Sequence, residues 1–359
     1  MMKKKIWLLL VILVLALAGV FIYFSANGQE KQDARYTDVP YQKNAFLMGT
    51  ICTLTIYDKG KESVLNKGIK TIRHFDQEAT LTRSGSVLDA INDNAGIKPV
   101  KIPADFWELI EKAMYFSKNS NDSFDMAIGA VTNLWKIGLP GARVPADSEI
   151  KAALPLLDYH DVILNKQQHT VYLTRKGMRL DFGGIAKGYI ADKVKETFLK
   201  NHVTSAIISL GGNIYVIGQS HPASGTRDWN VGIQNPNQSR GSSIGFVRES
   251  NMSIVTAGTY EQYLIANGHK YIYLMDPKTG YPYENNLVSA TIVSRESVDG
   301  DALSNAAFDK GLKKGLTYMN HKNKDGIQAI FITKAHKVFI TNGLKKNFKL
   351  TDNSYHMGN

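Results

Sequence analysis

Residues 179–193 read Arg-Leu-Asp-Phe-Gly-Gly-Ile-Ala-Lys-Gly-Tyr-Ile-Ala-Asp-Lys, and the fold is organised around them. Asp181 ends an apolar run, two glycines follow, and the next residues predict a helix with Lys187 in its first turn. Glycine lets a backbone approach a ligand closely, and a helix N-terminus attracts anions. The stretch therefore indicates either an ordinary strand–turn–helix junction or a place where a phosphorylated ligand lies between Asp181 and Lys187.

The composition favours some classes of protein over others. The 359 residues have a formal net charge of +11, but no compact basic stripe with interleaved aromatic residues is present. Nucleic-acid binding is therefore not predicted, and attraction to an anionic membrane or a phosphorylated substrate explains the charge equally well. The single cysteine, Cys52, excludes an internal disulfide and a Cys-based zinc site. We expect Cys52 to be a small buried hydrophobe.

The N-terminus predicts an exported protein. Residues 1–5 are basic and residues 6–24 form an apolar run long enough to cross a bilayer. Lysines before the run predict a cytoplasmic N-terminus and an extracytoplasmic body at the cell membrane. A cleaved signal peptide is the alternative interpretation. After this segment we expect a linker over 25–44, one catalytic domain over 45–345 and a C-terminal tail over 346–359.

The rest of the pattern predicts an α+β fold with mixed sheets and flanking helices, because strands and helices do not alternate regularly. A helix predicted over 301–314 places Asp301 and Asn305 on one face, with Ser304 beside them. Such oxygen donors, together with a backbone carbonyl, suit Mg²⁺. The alternative is that Asp301 is only a helix N-cap and Asn305 only a solvated polar residue.

Several segments of the chain also occur in the same order in a known family, the ApbE-like FAD:protein FMN transferases, which the sequence resembles over roughly 45–341. The matching segments are 48–50, 124–135, 180–194, 209–214, 255–260, 276–282 and 301–311. The resemblance implies an ApbE-like α+β fold and a Mg²⁺-dependent enzyme. It implies transfer of FMN from FAD to a Thr or Ser hydroxyl of an exported acceptor protein, with release of AMP. The acceptors would use covalent flavin in extracytoplasmic electron transfer.

The resemblance also implies roles for individual residues. The metal would be held by the backbone oxygen of Gly184, by Asp301, and by Asn305 or Ser304, and the catalytic positions would be Asp301 and Tyr273. The flavin-binding residues implied are Met48, Thr82, Ser123, Phe124, Asp125, Asp181, Lys187 and Met275.

Two positions depart from the family pattern. Tyr273 stands where the family usually has His, and Asn305 stands where it usually has Thr or Ser. A tyrosine is a poor base at neutral pH, since its ordinary pKa is about 10. Two alternative functions therefore stay open, a Mg²⁺-dependent FAD pyrophosphatase that yields FMN and AMP, and a flavin-binding module without turnover.

Overall fold

The computed structural model describes residues 35–79, 85–121, 123–222 and 224–358. The predicted anchor at 6–24 and the predicted flavin ligand Thr82 lie outside these residues. Within them, no helix combines the length and the apolar character needed to cross a membrane. The α-helices are α1 Glu62–Ala79, α2 Val87–Asp93, α3 Ala104–Asn119, α4 Gly129–Trp135, α5 Asp147–Ala153, α6 Ala186–Lys200, α7 Ser297–Asp309 and α8 Gly311–Lys322.

The strands mix with these helices along the chain. They are β1 Tyr36–Leu47, β2 Thr50–Asp58, β3 Val100–Lys101, β4 Val162–Asn165, β5 Thr170–Leu173, β6 Ala206–Leu210, β7 Asn213–Ile217, β8 Trp229–Gln234, β9 Ser243–Glu249, β10 Met252–Gly258, β11 Tyr263–Ala266, β12 His269–Ile272, β13 Leu287–Ser294, β14 Gln328–Thr333, β15 Lys337–Ile340, β16 Phe348–Leu350 and β17 His356–Met357. This arrangement confirms the predicted α+β class.

A large sheet forms the centre of the molecule, with strand order β1-β2-β6-β7-β10-β13-β14-β15-β17. Its neighbours pair antiparallel, except that β15 and β17 are parallel. β14 is buried at every position. Such a continuous buried run is typical of a central strand that is covered on both faces.

Different layers cover the two faces of this sheet. Helices α1, α6 and α7 cover one face, where Leu54 and Ile208 of the sheet pack with Ile72 and Ile190 of the helices. On the other face, the small sheet β16-β9-β8 packs through residues such as Val231 against the central strands. Burial of these side chains contributes roughly 1.5–3 kcal/mol each. The helical layer matters for function, because it contains residues 186–200 and 297–309.

A smaller hydrophobic cluster lies beside this core. It joins α4 and α5 to the segment that contains Met275, and Trp135 is its largest buried side chain. The indole Nε1 of Trp135 donates a hydrogen bond of 2.9 Å to the carbonyl of Gly280. This contact fixes the loop after Met275 against α4.

Three features of the fold differ from the sequence predictions. Residues 36–44, expected to belong to a linker, lie in β1, which pairs with β2. Most side chains of β1 are partly or fully exposed, so this edge strand has no apolar periodicity to predict it. The predicted tail is also part of the fold, since β16 pairs with β9 and β17 with β15.

The third difference concerns the helix predicted over 301–314. It begins four residues earlier, at Ser297, and a second helix starts at Gly311. Gly300, which resembles a turn residue in the sequence, lies inside α7 where a Cβ would be 2.9 Å from Val255 Cγ2. The glycine therefore permits close packing of α7 on β10. Asp301 is consequently not the N-cap of this helix.

Candidate functional site

The turn that precedes α6 is fixed by the side chain of Asp181. One carboxylate oxygen accepts a hydrogen bond of 2.7 Å from Gly183 N, and the other accepts one of 2.6 Å from Thr132 Oγ1. The backbone N–H of Asp181 also donates to Met126 O at 3.0 Å. Asp181 is therefore held by its own turn and by α4, and it orients the two glycines ahead of the helix.

Helices α6 and α7 cap each other. Asp301, in the second turn of α7, accepts a hydrogen bond of 2.8 Å at Oδ2 from Gly188 N in the first turn of α6. Asp192 of α6 accepts bonds of 2.9 Å from Ser297 N and Val298 N at the start of α7. Each carboxylate thus lies at the partner helix's N-terminus, where unsatisfied N–H groups and the helix dipole favour negative charge.

Gly188 permits this close pairing. A Cβ at this position would lie 2.3 Å from Ser297 O and 2.8 Å from Asp301 Cβ. Both distances are below any ordinary contact, and the carbonyl belongs to the backbone of α7, which cannot turn aside. The sequence therefore places glycine where two helices must approach closely enough for Asp301 to reach the N-terminus of α6.

The carboxylate of Asp192 forms a buried ion pair in addition to capping α7. Its carboxylate lies 3.2 Å from Lys195 Nζ, which also contacts Glu296 at 2.7 Å. Burial raises the pKa of Asp192 to about 6, against the opposing effects of Lys195 and the two backbone donors. Removal of one partner of such a pair leaves an uncompensated buried charge and costs roughly 3–5 kcal/mol.

Asn305 joins α7 to the glycine turn. Its Nδ2 donates to Gly184 O at 3.2 Å and, more weakly, to Asp301 O at 3.4 Å. Ser304 takes no part in this contact, because its hydroxyl donates to Asp301 O at 2.8 Å within its own helix. The structure therefore brings Gly184, Asp301 and Asn305 together, and it favours Asn305 over Ser304 as the side chain facing the turn.

These three residues offer the oxygens that a hard cation prefers. Asp301 is 4% exposed, and its Oδ1 makes no hydrogen bond to a described residue. The Gly184 carbonyl supplies a neutral oxygen nearby, and the Asn305 amide can supply a second one when its oxygen, rather than its Nδ2, faces the turn. The described part of the chain has no group of three or more His, Cys, Asp or Glu side chains placed to hold a metal. A metal site at these residues would therefore depend on backbone and amide oxygens beside the one carboxylate. A donor set of one carboxylate, one carbonyl and one amide fits Mg²⁺, which usually completes its shell with water and phosphate oxygens.

Phe124 forms a wall beside the glycine turn, and its Cε2 is 3.3 Å from the position of a Cβ at Gly184. The neighbouring Ser123 hydroxyl bonds the carboxylate of Asp309 and accepts from Lys310 Nζ at 2.6 Å. Asp125 accepts bonds from Ala127 N and Tyr159 N, and burial raises its pKa. This segment therefore packs against the turn through Phe124.

Two hairpin turns lie side by side at one end of the strands of the large sheet. Met48 and Gly49 connect β1 to β2, and Met48 has a φ of 53°, which is uncommon for a residue with a side chain. Met48 N donates to Asp76 Oδ1 at 3.0 Å. Because Cys52 pairs with Leu210, the turn of β6 and β7 lies next to this one. The hydrogen bond to Asp76 thus holds Met48 in this turn, at one end of β1 and β2.

Tyr273 and Met275 lie on the segment after β12. Burial, together with the charges of Asp301 and Glu261, raises the pKa of Tyr273 above its ordinary value. Met275 is buried in the smaller cluster and pairs with Pro282. The next residue, Asp276, accepts bonds from Lys278 N and Thr279 Oγ1, so its side chain closes the predicted turn.

Some residues that shape the site were not singled out in the sequence. They are Thr132, which fixes Asp181, and the capping residues Gly188 and Asp192. A glycine inside a predicted helix indicates close packing, so the position of Gly188 in the sequence could have indicated its role. Thr132 and Asp192 had none, because both act through partners distant in the chain.

Known proteins resemble this chain over most of its length. The model of the ApbE family matches residues 48–331. A FAD:protein FMN transferase of Klebsiella pneumoniae is 33% identical over 315 residues, covering 88% of this chain and 96% of that protein. One of Treponema pallidum is 32% identical over 326 residues, covering 87% and 90% respectively.

Solved structures agree in fold. The ApbE protein of Thermotoga maritima superposes with a TM-score of 0.78 at 24% identity, covering 86% of this chain and 98% of that one. The apo flavinyl transferase ApbE of Pseudomonas stutzeri gives 0.71 at 23% identity, with coverage of 90% and 97%. The family match and the two relatives together show that this chain belongs to the ApbE family.

Proposed function

We propose that the protein transfers FMN from FAD to a Thr or Ser hydroxyl of an acceptor protein, in a Mg²⁺-dependent reaction that releases AMP. The observation that carries the proposal is the meeting of Gly184 O, Asp301 and Asn305 beside the start of α6. Relatives more than 30% identical are named FAD:protein FMN transferases. In this reaction the acceptor oxygen bonds to the FMN-side phosphorus, the phosphoanhydride bond to AMP breaks, and the proton of the hydroxyl passes to the departing AMP phosphate or to solvent.

The start of α6 suits the pyrophosphate of FAD. Lys187 is in its first turn, and among the described residues its ammonium has no hydrogen-bond or ion-pair partner. The N–H groups of Ile185, Ala186 and Gly188 at this helix end already donate to Phe182 O and Asp301, so the attraction for an anion comes from the Lys187 ammonium and the helix dipole. The glycine turn held by Asp181 lets the ligand come close to the backbone. Lys187 would therefore bind and orient the pyrophosphate.

Gly184, Asp301 and Asn305 would hold the Mg²⁺. The bound ion would supply Lewis-acid neutralisation of charge on the phosphate oxygens. Asp301 is suited to the task because Gly188 N holds one of its oxygens, while the other makes no hydrogen bond to a described residue. The hydrogen bond fixes the orientation of the carboxylate before any ligand arrives.

Tyr273 does not fit the role of general base. Burial raises the pKa of Tyr273 above its ordinary value, so the phenol is a poor base at neutral pH and is better suited to donating a hydrogen bond. Attack by water on FAD needs the same loss of a proton as attack by an acceptor hydroxyl, so Tyr273 does not distinguish transfer from hydrolysis to FMN and AMP, and the products must decide between them.

We further propose that residues 6–24 anchor the protein in the cell membrane and that the domain acts on exported acceptors. The apolar length of the segment and the lysines before it support this orientation. Protease added outside intact cells, after removal of any outer barrier, should digest the domain. Protection of the domain until the cells are lysed would contradict the proposed side.

The reaction is tested by mass spectrometry of an acceptor. The full-length protein is incubated with FAD, MgCl₂ and a Thr-containing acceptor domain, with and without EDTA. We expect the acceptor to gain one FMN less one water, and free AMP to appear in equal amount, only without EDTA. Free FMN and AMP with an unchanged acceptor would establish the pyrophosphatase instead. Bound FAD without any product would establish a binding module.

A further inference from the structure

Asn305 places its hydrogen-bond donor where a cation site needs an acceptor. Its Nδ2 faces two carbonyl oxygens, Gly184 O and Asp301 O. Carbonyl oxygens only accept hydrogen bonds, so the amide oxygen cannot take this position without repulsion. A cation between the same groups would need the reverse orientation, with the amide oxygen toward the ion.

From this geometry we propose that Asn305 is a latch, which closes the cation site in the metal-free protein and opens by turning its amide. In the closed position, the amide N–H₂ occupies the Gly184 carbonyl and ties α7 to the turn before α6. In the open position, Oδ1 faces the ion and the Gly184 carbonyl is released to it. The inference rests on the assignment of Mg²⁺ to Gly184, Asp301 and Asn305.

The latch depends on a property of the amide that a hydroxyl lacks. An amide has its donor and its acceptor on different atoms, so exchanging one for the other requires a half-turn of the group. A threonine hydroxyl has both on one oxygen, and in a helix its proton commonly donates to the carbonyl four residues earlier. For residue 305 that carbonyl is Asp301 O, so a threonine could bind an ion with no rearrangement.

Glycine at 184 is the second part of the latch. A Cβ at this position would lie 2.5 Å from Asn305 Nδ2, too close for the closed position. The clash involves the far end of the flexible Asn305 side chain, and Phe124 Cε2, at 3.3 Å, needs to shift by only a few tenths of an ångström. An alanine would therefore displace the amide without disturbing the backbone. Gly184→Ala therefore opens the latch while it keeps both Asn305 and the carbonyl.

The experiment measures Mg²⁺ alone, without FAD, on the purified full-length protein. Titration calorimetry gives the dissociation constant, and thermal unfolding with EDTA or with MgCl₂ gives the stability of each state. We expect Asn305→Thr and Gly184→Ala to bind Mg²⁺ about tenfold more tightly than the unmodified protein. Tenfold corresponds to about 1.4 kcal/mol, close to the net value of one hydrogen bond.

Asn305→Asp extends the test, because it has two acceptor oxygens and no donor. We expect this variant to unfold at the lowest temperature in EDTA and to gain the most from MgCl₂. Asn285→Thr is the matched control, since Asn285 Nδ2 also donates to a carbonyl of α7, Phe308 O, at 2.8 Å. It should lower the unfolding temperature without changing the affinity for Mg²⁺.

The outcomes distinguish the latch from the assignment of Mg²⁺ to Gly184, Asp301 and Asn305, on which the latch rests. Asn305→Thr and Gly184→Ala with unchanged or weaker Mg²⁺ affinity, in a protein that does bind Mg²⁺, would overturn the latch alone and leave a purely structural hydrogen bond. No Mg²⁺ binding by any variant would overturn both the latch and the metal assignment. The acceptor mass assay then decides independently whether FMN transfer occurs.

Discussion

Replacement of Gly188 by alanine should separate α6 from α7 at the point where Asp301 caps α6. The new Cβ would lie 2.3 Å from Ser297 O. To reach an ordinary contact of about 3.4 Å, the helices must move apart by about 1.1 Å. The hydrogen bond from Gly188 N to Asp301 Oδ2, 2.8 Å long, cannot survive a displacement of that size.

The size of the effect follows from three contributions. Overpacking costs roughly 1–3 kcal/mol, and loss of a hydrogen bond to a charged group costs roughly 1.5–3 kcal/mol. Alanine's helix propensity returns about 1 kcal/mol relative to glycine. We therefore expect Gly188→Ala to lower the free energy of unfolding by roughly 1.5–5 kcal/mol.

Urea unfolding, monitored by circular dichroism, measures this loss of stability. The acceptor mass assay measures FMN transfer, which should fall when Asp301 is displaced. Lys200→Ala serves as a control on the same helix, because the Lys200 side chain is 78% exposed and its only ion pair among described residues is long, at 3.9 Å. An unfolding midpoint of Gly188→Ala equal to that of the control would refute the proposed close approach of the two helices.

Four further changes test other parts of the site and fold. Asp301→Asn keeps an acceptor for Gly188 N but removes the charge, so it should fold normally and lose roughly 10²-fold or more in Mg²⁺-dependent turnover; normal turnover would remove Asp301 from the metal site. Lys187→Gln should raise the KM for FAD by roughly tenfold, the value of a hydrogen bond to a charged group, and an unchanged KM would place the pyrophosphate elsewhere. Tyr273→Phe should leave the pH profile of turnover unchanged between pH 6 and 9, whereas loss of a basic limb would identify Tyr273 as the base after all. Burial raises the pKa of Cys52 from 9.0 to about 11, so the unfolded thiol ionises first and stability falls between these values; Cys52→Ala should reduce that fall by up to about 2 kcal/mol in urea titrations at pH 9 and pH 11.

Local chemistry made the centre of the site predictable. The stretch at 179–193 has its turn and its helix start in the sequence, and α6 begins at Ala186 as the glycines and Lys187 indicated. The break at Met48 and Gly49 is likewise a hairpin turn. Such features depend on neighbours in the chain, which a sequence displays directly.

Features that depend on distant partners were predicted less well. β1 owes its structure to pairing with β2 and exposes most of its side chains, so its sequence resembles a linker. Gly300 looks like a turn residue because only the fold shows that β10 lies against it. The preference for Asn305 over Ser304 also depends on the fold, since both residues are polar and adjacent, and only their hydrogen bonds distinguish them.

The mutual capping of α6 and α7 has a consequence for the order of folding. Gly188 and Asp301 are 113 residues apart in the chain, and Asp192 and Ser297 are 105 apart. Closing such loops carries an entropic cost that these contacts offset only when the intervening strands are already paired. We therefore expect the proposed cation site to form late in folding. A nascent or partly folded chain, in which either helix stands alone, should have no affinity for Mg²⁺ at these residues, so loading of the metal would report that the domain is complete.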